Sequence, residues 1–93
     1  MTYYEIYAEL EDYRDRAESF KGALNKLMDY TNLSIYKVDE LLWVVKPSNN
    51  KMWDDRSQYF RSRYACLENV KIKTGFYIKR VGWIWFILYK LET

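Results

Sequence analysis

Two groups of side chains in this sequence have the types and clustering that molecular recognition uses. The first is acidic and carries tyrosines: Tyr4, Glu5, Tyr7, Glu11, Asp12, Asp15 and Glu18. Carboxylates gathered on one surface attract and orient a basic partner, and tyrosine rings anchor such a contact. The second group is basic: Arg61, Arg63, Lys71, Lys73, Lys79 and Arg80, with Tyr77 among them. Cations interleaved with rings are what single-strand binders present, the cations to phosphates and the rings to bases. A third arrangement, Glu68 with Tyr77, Lys79 and Arg80, holds groups suited to acid-base and phosphate chemistry in a small ribonuclease, but its spacing matches no catalytic motif.

Composition excludes most other chemistry. The 93 residues include no histidine and one cysteine, which rules out His-based triads and zinc sites of ordinary composition. Gly22, Gly75 and Gly82 are the only glycines, so there is no glycine-rich phosphate loop. The expectation is a non-catalytic protein with no cofactor and no metal. Cys66 cannot form an internal disulfide, and the first ten residues have neither a basic n-region nor an apolar h-region, so a cytoplasmic location is expected. The apolar run from Trp83 to Tyr89 is far short of the roughly 20 residues that span a bilayer, and no membrane partner is expected.

The elements that must position these groups can be read from periodicity. Tyr3, Ile6, Leu10, Tyr13, Ala17, Phe20, Leu24 and Leu27 alternate spacings of three and four, a heptad stripe that predicts one long helix from Thr2 to Asp29. Thr2 and Glu5 form a capping box at its start, and Asn32 is its stop. At 1.5 Å per residue this helix is about 42 Å long, whereas a domain of this length is about 32 Å across. Either it breaks near Gly22, or the excess stripe packs on a second copy as a homodimer. Leu33–Val38 and Leu41–Lys46 read as a hairpin around Asp39 and Glu40. Pro47 to Asn50 is a loop, with Ser48 or Asn50 capping a second helix from Lys51 to Leu67.

The remainder reads as a meander: Val70 and Ile72 alternating with Lys71 and Lys73, a turn at Thr74 and Gly75, another at Val81 and Gly82, and the run to Tyr89 as its core strand. Trp83, Trp85, Ile87 and Tyr89 would share one face of that strand and Ile84, Phe86 and Leu88 the other, each needing apolar cover. The expected architecture is a single α+β domain over residues 1–93, order αββαββ with room for one extra strand, two helices on a small antiparallel sheet. No internal repeat is expected.

Charge is uneven along this order. Residues 1–20 carry six acids and two bases, net −4, and residues 51–93 carry nine bases and four acids, net +5. Small size, abundant Tyr and Trp and a concentrated acidic helix give the chain a general similarity to the small inhibitors that phages and mobile elements make against host nucleases, including anti-CRISPR proteins. That similarity lies in size and composition. It implies a protein-binding inhibitor whose acidic, Tyr-bearing helix occludes a basic, nucleic-acid-handling surface of a host nuclease or ribonucleoprotein. The alternative is a small nucleic-acid-binding regulator that uses the basic C-terminal half.

Overall fold

The computed structural model describes residues 12–47 and 57–90. Its elements are β1 (Tyr13–Ala17), α1 (Phe20–Thr31), β2 (Leu33–Asp39), β3 (Leu42–Pro47), β4 (Gln58–Phe60), α2 (Arg63–Thr74), β5 (Phe76–Val81) and β6 (Ile84–Tyr89). The order is βαββ followed by βαββ. Two antiparallel three-stranded sheets form, β1-β6-β5 and β2-β3-β4, so each hairpin takes its third strand from the other half of the chain.

This arrangement is an internal repeat, which the sequence was not expected to hold. Adding 43 to the positions of the first unit gives those of the second through the N-cap, helix, C-cap and first hairpin strand. Ser19 and Ser62 cap the two helices, accepting from Gly22 and Ala65 N–H at 3.0 Å each. Both helices have twelve residues and end in a threonine, Thr31 and Thr74, whose hydroxyl donates to the carbonyl four residues back at 2.7 Å. Both stop on a left-handed residue, Asn32 and Gly75. The registers also match. Ile35 lies opposite Val45 as Ile78 lies opposite Ile87, and Phe60 opposite Trp43 as Ala17 opposite Trp85. An extra residue at the bulge between Lys37 and Asp39 changes the offset to 42 for β3 and β6.

The core repeats as well. Ala23 packs with Ala17 and Ile87 under α1, while at the matched positions Cys66 packs under α2 in a cluster with Val45 and Phe60. Leu27 and Val70, the next matched pair, are both fully buried in that second cluster. Burial pushes the Cys66 thiol up to about 11, in keeping with packing. On the opposite face of β1-β6-β5, Phe86 and Leu88 are buried with Tyr13, Tyr77, Val81 and Ile84 around them.

Several expectations are corrected. The single helix expected from Thr2 to Asp29 does not form over its described part: residues 13–17 are strand, and α1 begins only after Ser19. In sequence a spacing of four suits one face of a helix and one face of a strand alike, but a bulge between Tyr13 and Asp15 sends Tyr13 to the Phe86 face and Ala17 to the Ile87 face. The strand wins because Arg14 and Arg16 alternate outward while Ala17 is buried against Ile87. The overhang that motivated a homodimer disappears with that helix. The second helix is not Lys51–Leu67: Gln58–Phe60 is strand, and the helix starts after Ser62 and runs through Val70 and Ile72, which were expected in a strand. Val70 is fully buried one turn below Cys66 while Ile72 is exposed, a helical and not an alternating pattern. The expected capping residues Thr2, Ser48 and Asn50 lie outside the described residues. The first hairpin and the central, doubly covered β6 stand as expected, except that Trp83 is in the turn and Trp85 is half-buried.

Candidate basic-aromatic groove

One face of α2 rises beside the hairpin that follows it. Arg63, Leu67 and Lys71 recur at every fourth residue, with Tyr64 and Glu68 in the neighbouring row, so all five lie along one side of the helix. Opposite them stand Ile78 of β5, Trp85 of β6 and Phe20 from the first turn of α1, and Tyr77, which belongs to the Phe86 face, closes the rim at the edge strand β5, enclosing a groove of about 250 Å³. A volume below the usual 300 to 1,000 Å³ of small-molecule pockets suits part of an extended ligand better than a whole cofactor.

Both groove cations are held against rings. The Arg63 guanidinium carbon lies 4.3 Å from the centre of Phe20, and the Lys71 ammonium 4.5 Å from the centre of Tyr77. Phe20 is itself wedged edge-on between Trp43 and Trp85, at 6.4 and 5.2 Å. Arg63 is the first residue of α2, where a cation opposes the helix dipole. Helix stability does not explain its place there, but a stacked guanidinium keeps its five donors free along its edge. Register puts Arg80 directly opposite Trp85, so a third cation borders the aromatic floor.

Of the residues singled out from sequence, Arg63, Lys71 and Tyr77 line the groove, and Arg80 flanks it. Glu68, considered above in a catalytic role, lines it too. Arg61 is exposed just before the Ser62 cap, and Lys79 pairs with Phe86 on the other face of the sheet. Lys73 points away and donates to Gln58 Oε1 at 2.6 Å. Phe20, Tyr64 and Trp85 complete the groove and were not singled out. Phe20 is 43 positions before Arg63, and only the interlocked topology brings them together.

The acidic group does not form a helical surface over its described part. Asp12 precedes β1 and its carbonyl accepts from the Tyr89 N–H at 3.1 Å. Asp15 is half-buried on β1 and paired to Lys26 at 3.0 Å. Burial alone would raise its carboxyl, but the Arg16 amide, the Lys26 ammonium and the Tyr30 hydroxyl together hold it below the ordinary value. Glu18 is exposed in the turn before Ser19. Tyr4, Glu5, Tyr7 and Glu11 lie outside the described residues.

Among the described residues no cluster of three His, Cys, Asp or Glu side chains could hold a metal ion, and no helix is long and apolar enough to cross a membrane. The chain matches no protein-family model, no curated protein and no solved structure.

Proposed function

We propose that the chain is a non-catalytic binding module that seats an unpaired stretch of nucleic acid in the groove of its second unit. The observation that carries this reading is the pairing of two cations with two rings over a floor that includes Trp85. Such a surface offers phosphate contacts beside stacking faces, which is how sequence-tolerant single-strand binders work. Charge supports it: residues 57–90 carry seven bases and one acid, net +6, while residues 12–47 carry six of each. The inhibitor reading rested on an acidic helix that residues 12–18 do not form, and Tyr4, Glu5, Tyr7 and Glu11 lie outside the described residues.

The test is fluorescence anisotropy with a labelled oligothymidylate and a duplex of equal length. The single strand should bind more tightly, with affinity falling on a log-log salt plot at a slope of about −2 to −3, as for three to four neutralised phosphates. Arg63→Ala should weaken binding several-fold while leaving the far-ultraviolet circular dichroism unchanged, because the side chain is exposed. Failure of both oligonucleotides to bind, with retention of a host protein that Glu11→Lys abolishes, would restore the inhibitor reading.

A further inference from the structure

The tip of the β5–β6 hairpin is a two-residue turn, Gly82 and Trp83, closed by the Val81–Ile84 pair. Gly82 has φ +63°, as the first central position of a type II′ turn requires. The second position commonly holds Asn, Asp or Ser. Here it holds a tryptophan that is 86% exposed. An indole so placed supports no packing in the fold.

The matched tip in the first unit tells which property matters. Leu41 stands there, 73% exposed, but Asp39 and Glu40 adjoin it, and Glu40 pairs with Lys37 at 3.7 Å. At the second tip the positions matched to Tyr36 and Lys37 are Lys79 and Arg80, no acid lies between Phe76 and Lys90, and neither cation has an ion pair among the described residues. Both tips are apolar; only one is also cationic. That tip is continuous with the groove, because Arg80 is opposite Trp85, and Trp83 is two residues from Trp85, about 7 Å at strand rise.

Resting on the groove reading above, we infer that Trp83 is a second stacking platform, which takes a base of the same unpaired strand beyond the groove while Arg80 takes the phosphate between. Aromatic side chains and basic residues also favour anionic membrane surfaces. The continuous aromatic floor from Trp85 outward favours the nucleic acid, since a bilayer surface has no use for a groove.

The experiment compares oligothymidylates of four and twelve nucleotides by anisotropy for the full chain and for Trp83→Ala and Trp83→Phe. The longer strand should bind the parent more tightly. Trp83→Ala should weaken the twelve-mer about tenfold, in the range of one lost base stack, and leave the four-mer unchanged, while Trp83→Phe, which keeps a ring, recovers much of the loss. A melting temperature equal to the parent's is expected for both variants. If Trp83→Ala binds both lengths like the parent while Arg63→Ala weakens both, the platform is refuted and the groove reading stands. If no oligonucleotide binds the parent, both fall. Binding to phosphatidylserine vesicles that is lost in Trp83→Ala, without any oligonucleotide effect, would overturn the inference in favour of a lipid surface.

Discussion

At matched positions the first βαββ unit holds Asp15, Lys26 and Tyr30, and the second holds Gln58, Asn69 and Lys73. In the first, Lys26 reaches Asp15 at 3.0 Å and the Tyr30 hydroxyl reaches it at 3.5 Å. In the second, Lys73 reaches Gln58 at 2.6 Å from the place of Tyr30, and the Asn69 amide oxygen is buried with no hydrogen-bond partner among the described residues. The geometry is shared while the charges are redistributed. Along the groove the contrast is larger: Met28, Ser34 and Phe20 of the first unit correspond to Lys71, Tyr77 and Arg63 of the second. One backbone plan therefore serves two purposes. In the first unit Asp15 pairs with Lys26 and Glu40 with Lys37, and Phe20 fills the space between two tryptophans; in the second Arg63 and Lys71 line a groove.

The interlocked sheets make the strongest demand on this comparison. Phe86 and Val44 occupy matched, fully buried positions. Phe86→Ala should cost about 3 to 5 kcal/mol, and Val44→Ala less, since it removes fewer buried atoms. Because each sheet holds strands from both units, either substitution should lower the same single calorimetric transition. Two separable transitions, only one of which moves, would break the picture of exchanged strands.

The helix stops give a smaller contrast. A Cβ on Gly75 would sit 2.8 Å from Tyr89 Cε2, whereas Asn32 tolerates the same left-handed backbone at φ 56° because Leu33 faces Pro47, not Tyr89, across the sheet. Gly75→Asn should cost about 1 to 3 kcal/mol in urea unfolding, and Asn32→Gly less than about 1 kcal/mol. Equal costs would mean that the Tyr89 ring does not set the difference.

Exchanging groove residues for their counterparts sharpens the functional half of the comparison. Lys71→Met and Tyr77→Ser each give the second unit what the first has, and each should weaken oligothymidylate binding about fivefold to tenfold, near 1 to 1.4 kcal/mol. The reverse change, Met28→Lys, should add nothing. A gain from Met28→Lys equal to the loss from Lys71→Met would show net charge at work without the groove.

The smallest effect belongs to Asp15. Its folded carboxyl is held below the ordinary value by the Arg16 amide, Lys26 and Tyr30, so the carboxylate adds stability above the unfolded carboxyl's range, and this is lost as pH falls through the lower folded value. Asp15→Asn should melt slightly below the parent at pH 7, by no more than about 1 kcal/mol for so exposed a pair, and the gap should close on acidification. A gap that persists through the carboxylate range would assign the loss to packing.

How much of this was legible in the sequence depended on which signals were unambiguous. The β2–β3 hairpin was, because β-branched and aromatic residues flank Asp39 and Glu40, and so was the doubly buried β6. Tyr13 and Ala17 were not, since their spacing satisfies two periods and the buried partner that decides between them, Ile87, is seventy residues away. Ser19 and Ser62 were overshadowed by more conspicuous capping residues at Thr2, Ser48 and Asn50. Val70 and Ile72 alternate with lysines as a strand would, and only burial beside Cys66 distinguishes the helix. The repeat is faint because matched identities are few: Ser19 and Ser62, Leu24 and Leu67, Thr31 and Thr74, Ile35 and Ile78, Val38 and Val81, Trp43 and Trp85. Arg63, Lys71 and Tyr77 could be picked out by type, but Phe20 joins them through topology alone.

The most direct measurement is an amide nitrogen-proton NMR titration of the full chain with a twelve-nucleotide oligothymidylate. Shifts are expected at Arg63, Tyr64, Lys71, Tyr77, Arg80, Trp83 and Trp85, with Lys21, Met28, Ser34 and Lys37, the first-unit counterparts of Tyr64, Lys71, Tyr77 and Arg80, unmoved. Shifts centred on those counterparts or on Asp12 to Glu18, or no shifts at saturating oligonucleotide, would contradict it.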